Sequence, residues 1–192
     1  MEDTLSEIFT ECWSRLLYGS IMADNPFHTG VVGTQLNGLV SLRTVVLRGI
    51  EPDNKQVIFY TDVRSDKIEE IRTNPDLSWL FYDHKEGVQL RLAGAGIIHN
   101  QDDVAAYHWA KVHDGSKRSY LAKPGPSTGI SEPADGLEYL NADSDLEAGY
   151  NNFAVIVTEV NFIEWLSLKG NGHRRAEFKL IYNSWKGQWL IP

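Results

Sequence analysis

The sequence predicts a mainly β protein of the α+β class, in which an antiparallel barrel carries flanking helices. Three observations support this: β-branched and aromatic runs of strand length, turn-forming residues between consecutive runs, and few helical patterns between them. Strands that follow one another through short turns pair in antiparallel fashion, whereas a doubly wound parallel sheet needs a helix after almost every strand. The 192 residues fit a single domain, and no repeat is visible.

The N-terminal segment, residues 1–24, contains a predicted helix over residues 3–21. Thr4 and Glu7 have the spacing of a capping box, and apolar residues recur after them at intervals of three and four. Cys12 lies on that apolar face, so we expect a buried and unreactive thiol. As the single cysteine of the chain, it has no intrachain disulfide partner.

Strands joined by turns follow this helix. The first run is centred on residues 31–32 and the second spans 39–47, with Asn37 and Gly38 between them as a hairpin turn. A third run spans residues 57–61 after another group of turn formers. This pattern predicts antiparallel hairpins.

A short helix and two more strands come next. The helix is predicted over residues 65–74, where the first serine is the candidate N-cap and a proline ends the pattern. Strands are predicted over residues 77–82 and 88–99. Gly94 and Gly96 interrupt the second of these, which indicates a β-bulge or the close approach of another backbone.

The last third of the chain holds a helix, an acidic segment and further strands. The helix is predicted over residues 102–113. Residues 124–151 are rich in proline, glycine and acids, and a structureless segment of this length is typical of a lid, a binding loop or disorder. Strands are predicted over residues 153–160, 162–168, 174–182 and 185–190.

The charge of the chain is distributed unevenly. With 26 acids against 18 Lys and Arg, the formal net charge is -8, and residues 124–151 hold six of the acids and no base. The acidic balance argues against nucleic acid and anionic membranes as partners. No stretch approaches the ~18 apolar residues of a membrane span. The acidic start lacks the regions of a signal peptide, so we expect a cytoplasmic protein.

Common catalytic and metal-binding signatures are absent from the sequence. Residues 94–96 begin like a dinucleotide-binding fingerprint, but His99 stands where a third glycine is needed. His108 and His113 are five residues apart, which does not place them on one helical face. Paired-cysteine and His-Glu-x-x-His motifs do not occur, so no metal site is predicted.

Cations and hydroxyl groups gather around strand ends and a helix start. Arg43 and Arg48 bracket one strand, Thr61 ends the next, and Ser65 and Lys67 begin the following helix. A helix N-terminus with nearby cations and hydroxyl groups can bind a phosphate. Each cation taken alone is more often a solvated surface residue, and the grouping is what favours a binding site.

A series of short motifs runs in order from about residue 36 to the C-terminus, outside the acidic segment. They are found at residues 43–48, 59–61, 65–67, 74–75, 80–82, 88–94, 163–165, 173–175 and 189–192. Together they resemble the pyridoxamine 5'-phosphate oxidase-related FMN-binding split-barrel family. The resemblance implies one domain over residues 1–192, built as an antiparallel six-stranded-type split β-barrel. It also implies a homodimer with two FMN molecules at the subunit interface.

The resemblance also implies which residues contact FMN. The phosphate would be bound by Arg43, Ser65, Lys67 and the hydroxyl of Thr61, the isoalloxazine would lie along the backbone of residues 45–48, and a glutamine would reach the ring edge. A tryptophan and an arginine would come from the partner subunit. The implied contacts are Arg43, Thr44, Val45, Val46, Leu47, Arg48, Tyr60, Thr61, Ser65, Lys67, Gln89, Trp165 and Arg175. A cationic phosphate site, an apolar surface and polar groups at the ring are what a flavin requires.

Departures from the family pattern concern the phosphate and the substrate. Asp66 stands where the family has an arginine, which predicts either weaker FMN binding or a carboxylate that points away. The substrate-binding residues match in part, at Lys123, Ser127, Asn171 and His173. His173 is also the candidate catalytic residue, able to move a proton near neutral pH, or else an exposed histidine at a strand start.

Three functions remain open on this basis. The first is an FMN-dependent oxidoreductase with a small-molecule electron donor. The second is oxidation of pyridoxamine 5'-phosphate itself, and the third is a non-enzymatic flavin- or haem-binding split barrel. The partial match of the substrate residues favours the first.

Overall fold

One nine-stranded sheet dominates the structure, a computed structural model that describes residues 4–170 and 172–192. All of its pairings are antiparallel, as predicted. The strands are β1 (Thr29–Leu36), β2 (Leu39–Val46), β3 (Gly49–Glu51), β4 (Gln56–Asp62), β5 (Asp76–Asp83), β6 (Val88–His99), β7 (Phe153–Ser167), β8 (Arg174–Ile181) and β9 (Ser184–Leu190).

The sheet divides at β7, whose two halves have different neighbours. One edge of β7 pairs with β6 along its length, while the other edge pairs with β4 in the first half and with β8 in the second. The remaining order is β2-β1-β5-β6 on one side and β4-β3 on the other, with β9 beyond β8. The sheet therefore curls without closing, which places β2 near β4 and leaves β2 with a free edge.

Short helices flank the sheet. The α-helices are α1 (Leu5–Ile21), α2 (Asp66–Thr73), α3 (Asp103–Trp109) and α4 (Asp114–Lys117), and 3-10 helices cover Pro26–His28, Arg118–Leu121 and Leu146–Asn152. The predicted capping box is present, since the Thr4 hydroxyl accepts from the Glu7 N–H and the Glu7 carboxylate accepts from the Thr4 N–H. The helix predicted over residues 102–113 is instead two shorter helices.

The first hairpin turn is confirmed. Asn37 and Gly38 connect β1 to β2 with φ angles of 52° and 82°. Positive φ at both central residues is the conformation that two-residue hairpins favour, and Asn-Gly adopts it at little steric cost. The turn between β8 and β9 uses Tyr182 and Asn183 in the same way, one residue earlier than predicted.

The sequence prediction of two strands over residues 153–168 was wrong, because β7 is continuous. Its pairing with β6 skips Asn161, where a β-bulge opposes Ala93 and Gly94. The predicted close approach at Gly94 is confirmed, since a Cβ there would lie 2.0 Å from the Glu159 carbonyl oxygen. The bulge also reverses which residues of β7 face inward.

Two apolar clusters lie on opposite faces of the sheet. The larger cluster fills the inside of the curled sheet and includes one face of α1, where Cys12 is fully buried and burial raises the pKa of its thiol. The smaller cluster lies between the outer face and α3, where Ala105 and Trp109 pack with residues of β4 and β7. The odd-numbered residues of the first half of β7 belong to this outer cluster, whereas those of the second half face the inner one.

The acidic segment is held to the body of the protein by contacts just before it and in its second half. The Tyr139 hydroxyl donates to the Leu121 carbonyl, and Arg64 donates to the Ala122 carbonyl at 2.9 Å. Glu147 accepts from the Trp109 indole at 2.6 Å and pairs with Lys117. These contacts tie it to α3 and α4. No helix among the described residues has the length and apolar character needed to cross a bilayer.

Candidate functional site

The residues predicted to bind FMN meet largely in one cavity, of about 260 Å³, between β2, β4 and the start of α2. It is lined by Arg43, Thr44, Val45, Val46, Arg48, Tyr60, Thr61, Lys67 and Tyr120. Eight of these nine are residues for which the sequence predicts an FMN contact. The ninth, Tyr120, follows α4 on the 3-10 helix, and burial raises the pKa of its phenol.

Lys67 is the central cation of this cavity. Its Nζ lies 3.0 Å from Thr61 Oγ1 and 2.9 Å from Ser65 Oγ, and the two hydroxyl groups are 3.2 Å apart. In the described part of the chain it has no carboxylate partner within ion-pair distance. Burial, helped by the charge of Arg43, lowers its pKa. A half-buried ammonium that contacts only neutral hydroxyls would gain most from an anion.

The start of α2 strengthens the same site. Ser65 occupies the N-cap position, as predicted, yet its side chain makes no capping hydrogen bond to the first turn. Its hydroxyl donates instead to the Asp62 carbonyl at 2.8 Å. The Ile68 N–H bonds to the Ser65 carbonyl at 3.0 Å, so the two N–H groups before it in α2 are left for another acceptor. The positive end of the helix dipole lies beside Lys67. These features fit a phosphate group.

Arg43 is held by a carboxylate that the sequence analysis missed. Its Nη2 donates to Glu70 Oε2 at 2.7 Å, and its Nη1 donates to the Thr34 hydroxyl, which donates to Glu70 in turn. Burial works against the charged form of Glu70, but hydrogen bonds from Thr34 and Arg43 lower its pKa overall. Much of the Arg43 charge is thus offset, and Lys67 carries the larger share of free positive charge. No local pattern indicates this pair, because Glu70 looks like an ordinary polar residue of a surface helix.

Asp66 does not enter the cavity. It is exposed in the first turn of α2 and does not line the cavity wall. A carboxylate at a helix N-terminus is favourable for the helix dipole. Of the two sequence expectations for this residue, its placement agrees with a side chain that points away.

The end of β2 forms the side of the cavity away from the phosphate residues. The Arg48 guanidinium lies 5.7 Å from the centre of the Tyr60 ring. The Tyr60 hydroxyl is 2.8 Å from His108 Nδ1, and burial raises the pKa of Tyr60. Leu47 is fully buried in the inner cluster and does not line the cavity. Its N–H is already bonded to the His28 carbonyl, so it is not available to a ring.

Besides Leu47 and Ser65, which do not line the cavity, three predicted contacts lie away from it. Gln89 of β6 is directly opposite Leu166 of β7, and Leu166 is opposite Arg175 of β8, so these three share the outer face of the sheet. Trp165 lies on the inner face and is 2% exposed, with the Arg174 guanidinium 5.5 Å from its ring centre. The residue that accompanies Gln89 and Arg175 is therefore Leu166.

The candidate substrate residues are not brought to the cavity within one chain. Lys123 and Ser127 line a separate cavity of about 330 Å³ inside the acidic segment. Lys123 Nζ lies 4.8 Å from the centre of the Tyr139 ring. His173 is exposed just before β8, and Asn171 lies outside the described residues.

Comparisons with known proteins agree with this geometry. Residues 11–100 match the family model of the FMN-binding domain of pyridoxamine 5'-phosphate oxidase. A pyridoxine/pyridoxamine 5'-phosphate oxidase of Psychrobacter cryohalolentis is 34% identical over 161 residues, which are 79% of this chain and 73% of that protein. Its counterpart in Psychrobacter arcticus is 26% identical over the same shares of the two chains.

A solved structure supports the fold. A pyridoxamine 5'-phosphate oxidase-related, FMN-binding protein of Nostoc punctiforme has a TM-score of 0.78 at 21% identity, and the alignment covers 100% of both chains. This likeness confirms the predicted split barrel, and the matched domain confirms FMN as the cofactor that the sequence predicts. The chain belongs to the pyridoxamine 5'-phosphate oxidase-related FMN-binding family.

Proposed function

We propose that this protein is an FMN-dependent oxidoreductase that binds the FMN phosphate at Lys67. The observation that carries the proposal is that the Lys67 ammonium and Thr61 line one cavity, with the Ser65 hydroxyl and the start of α2 directly beside them. The Lys67 ammonium, the Thr61 hydroxyl and the first N–H groups of α2 can donate to a phosphate oxygen, and Arg43 at the same cavity adds a further cation.

The end of β2 would orient the ring. Val45 and Val46 supply an apolar surface beside the phosphate residues, and Arg48 and Tyr60 supply polar groups next to it. Bound FMN supplies a ring that accepts electrons from a small organic donor and passes them to an acceptor. The chain's part is to hold that ring and to place charge near it. The Arg48 cation favours negative charge at the ring, which reduction increases.

A second copy of the chain would complete the site. The outer sheet face carries exposed apolar residues on β2 and β5, including Leu42, which is 69% exposed, and Leu80. In the strand register Thr44, Val31 and Leu80 form one row of this face, and Thr44 also lines the cavity. A homodimer formed through this face would cover the free edge of β2. It would bring Gln89 and Arg175 of one subunit to the cavity of the other.

The first test is an FMN titration of the purified protein. We expect the yellow flavin spectrum with one FMN per chain, and we expect Lys67→Ala to weaken FMN binding about tenfold or more, because a charge-assisted phosphate contact is lost. Lys85→Ala, which removes an exposed lysine from the β5–β6 turn, should leave binding unchanged. Equal affinities of the two variants would contradict the assignment of the phosphate to Lys67.

The second test concerns the reaction. Relatives are named pyridoxine/pyridoxamine 5'-phosphate oxidases, so pyridoxamine 5'-phosphate and pyridoxine 5'-phosphate are the first donors to try, followed by NADH and NADPH without oxygen. Bleaching of the flavin absorbance by any donor supports the proposal, and hydrogen peroxide release with the phosphorylated vitamers would identify the donor. Flavin that binds but is reduced by none of them would contradict an oxidoreductase and favour a non-enzymatic flavin protein.

A further inference from the structure

A second and larger cavity, of about 570 Å³, lies on the outer face of the sheet, between the β3–β4 hairpin, the end of β6 and α3. Its floor is one row of the sheet: Ile58 of β4 is opposite Val157 of β7, which is opposite Ile97 of β6. Val104 of α3 adds to the apolar lining. Ile97 is more than one-third exposed although it lies in a row of otherwise buried side chains. The cavity therefore presents a flat apolar surface of three strands' width.

The polar lining of this cavity is acidic. Glu51 at the end of β3 and Asp103 at the start of α3 both line it, whereas no Lys or Arg among the described residues does. Lys111 lies next to the lining, with its Nζ 3.6 Å from the centre of the Tyr107 ring. Tyr107 itself lines the cavity and is 61% exposed, so its ring is a further flat surface.

Gln56 and two histidines complete the lining, and each histidine has one ring nitrogen already engaged. His108 Nδ1 is 2.8 Å from the Tyr60 hydroxyl, and His99 Nδ1 is 2.8 Å from Asp102 Oδ2. His108 is only 8% exposed, and its Nε2 makes no hydrogen bond within the described part of the chain. A ring nitrogen at the wall of a cavity that has no protein partner can hydrogen-bond to water or to a ligand group there. Burial lowers the pKa of His108, so it adds no positive charge against the two carboxylates at neutral pH.

We propose that this cavity binds a small organic cation, namely an amine attached to a flat apolar body. The body would lie on the floor formed by Ile58, Val157 and Ile97 and against the Tyr107 ring. The ammonium would pair with Glu51 and Asp103, and His108 would supply a hydrogen bond. An anion of the same shape would face both carboxylates, and a wholly apolar ligand would leave the His108 nitrogen unsatisfied.

This site is separate from the flavin cavity, although the two share a boundary. Tyr60 lines the flavin cavity and His108 lines this one, so their hydrogen bond lies between them. None of the residues that would hold the amine lines the flavin cavity. Amine binding can therefore be measured on the purified 192-residue chain by a method that requires no flavin.

The test uses isothermal titration calorimetry with benzylamine, benzyl alcohol and benzoate as matched probes. We expect benzylamine to bind with one site per chain, benzyl alcohol to bind more weakly and benzoate not to bind. Glu51→Gln and Asp103→Asn should each weaken benzylamine binding about three- to fivefold, as expected for a partly exposed ion pair. Asp53→Asn, which lies in the same hairpin but outside the cavity lining, is the control.

A second variant keeps the test independent of the carboxylates. Ile97→Trp would fill the floor, and because Ile97 is partly exposed the fold should accept the larger ring, which circular dichroism would check. It should abolish benzylamine binding. Binding of benzoate as tight as that of benzylamine, or benzylamine binding unchanged in Ile97→Trp, would overturn the proposal. Failure of FMN to bind in the separate titration would bear on the proposed function and leave this result intact.

Discussion

The pairing of Arg43 with Glu70 shows how a binding residue can be held in place at the expense of its charge. The guanidinium contacts a buried carboxylate at 2.7 Å, so its direction is fixed before any phosphate arrives. The cost is that Arg43 contributes less net charge than Lys67. We therefore assign Lys67 the main role in affinity and Arg43 the main role in geometry.

Glu70 should make the stability of the protein depend on pH. Because the folded state lowers its pKa below the ordinary value of 4.5, the stability it contributes is fully present above that value. That stability is lost as the pH falls through the lower folded-state pKa. We expect urea unfolding between pH 7 and pH 3 to show a steeper loss of stability for the wild type than for Glu70→Gln.

The same variant should be less stable than the wild type at pH 7, by about 1–3 kcal/mol, since it leaves Arg43 without its charged partner. Glu69→Gln, on an exposed position of the same helix, is the matched control and should change neither quantity. Parallel pH profiles for wild type and Glu70→Gln would show that the pair does not titrate as described.

At the scale of elements, β6 and β7 depend on one close contact. The bulge at Asn161 brings the Glu159 carbonyl so near to Gly94 that no other residue type fits without moving the strands. We expect Gly94→Ala to lower the free energy of unfolding by about 2–3 kcal/mol, as is typical of overpacking, measured by urea denaturation. Gly115→Ala, where an added Cβ meets nothing within 4 Å, should be close to neutral.

The sequence could predict the elements and contacts that depend on neighbours along the chain. Thr61, Ser65 and Lys67 lie within seven residues, so a strand end followed by a helix start was enough to place them together. The sequence could not predict the Arg43–Glu70 pair, because that contact also depends on the register of β1 with β2 and on the position of α2. The predicted role of Trp165 depends on which face of β7 it occupies. The bulge reverses the alternation of side chains from which that face would be inferred.

The third helix shows a different limit of prediction. Its apolar and capping pattern predicts one helix over residues 102–113. In the structure, α3 ends at Trp109 and α4 begins at Asp114. Tyr120 then follows on a 3-10 helix and reaches the cavity. Its position depends on packing against Trp109 of α3 and against Phe153 of β7, which is distant in sequence. The residues around it in the sequence do not place it in this cavity.

At the scale of the whole molecule, the proposed dimer makes a prediction that joins assembly to cofactor binding. Leu42→Glu places a charge on the outer face of β2 at a side chain that is mostly exposed in one chain, so it should not unfold the subunit. We expect it to convert the dimer to a monomer in sedimentation experiments. FMN affinity should fall with it, since Gln89 and Arg175 would no longer be supplied by the partner.

Ile130→Glu, at an exposed position of the acidic segment, is the control for added charge. It should leave the mass of the dimer in sedimentation experiments and the FMN affinity unchanged. A Leu42→Glu protein that stays dimeric and binds FMN normally would place the subunit contact elsewhere on the molecule.

The bulge in β7 also determines where the chain can change length. Before Asn161 the even-numbered residues face the inner cluster, and after it the odd-numbered residues do. Loss of Asn161 alone would leave a regular strand in which all the remaining side chains keep their faces. Loss of a single residue inside either half of β7, away from the bulge, would exchange inside and outside for part of the strand, which would expose residues such as Trp165 or bury charges such as Glu159. The bulge at Asn161 is therefore the place within β7 at which a one-residue deletion can be absorbed while both sides of the sheet are preserved.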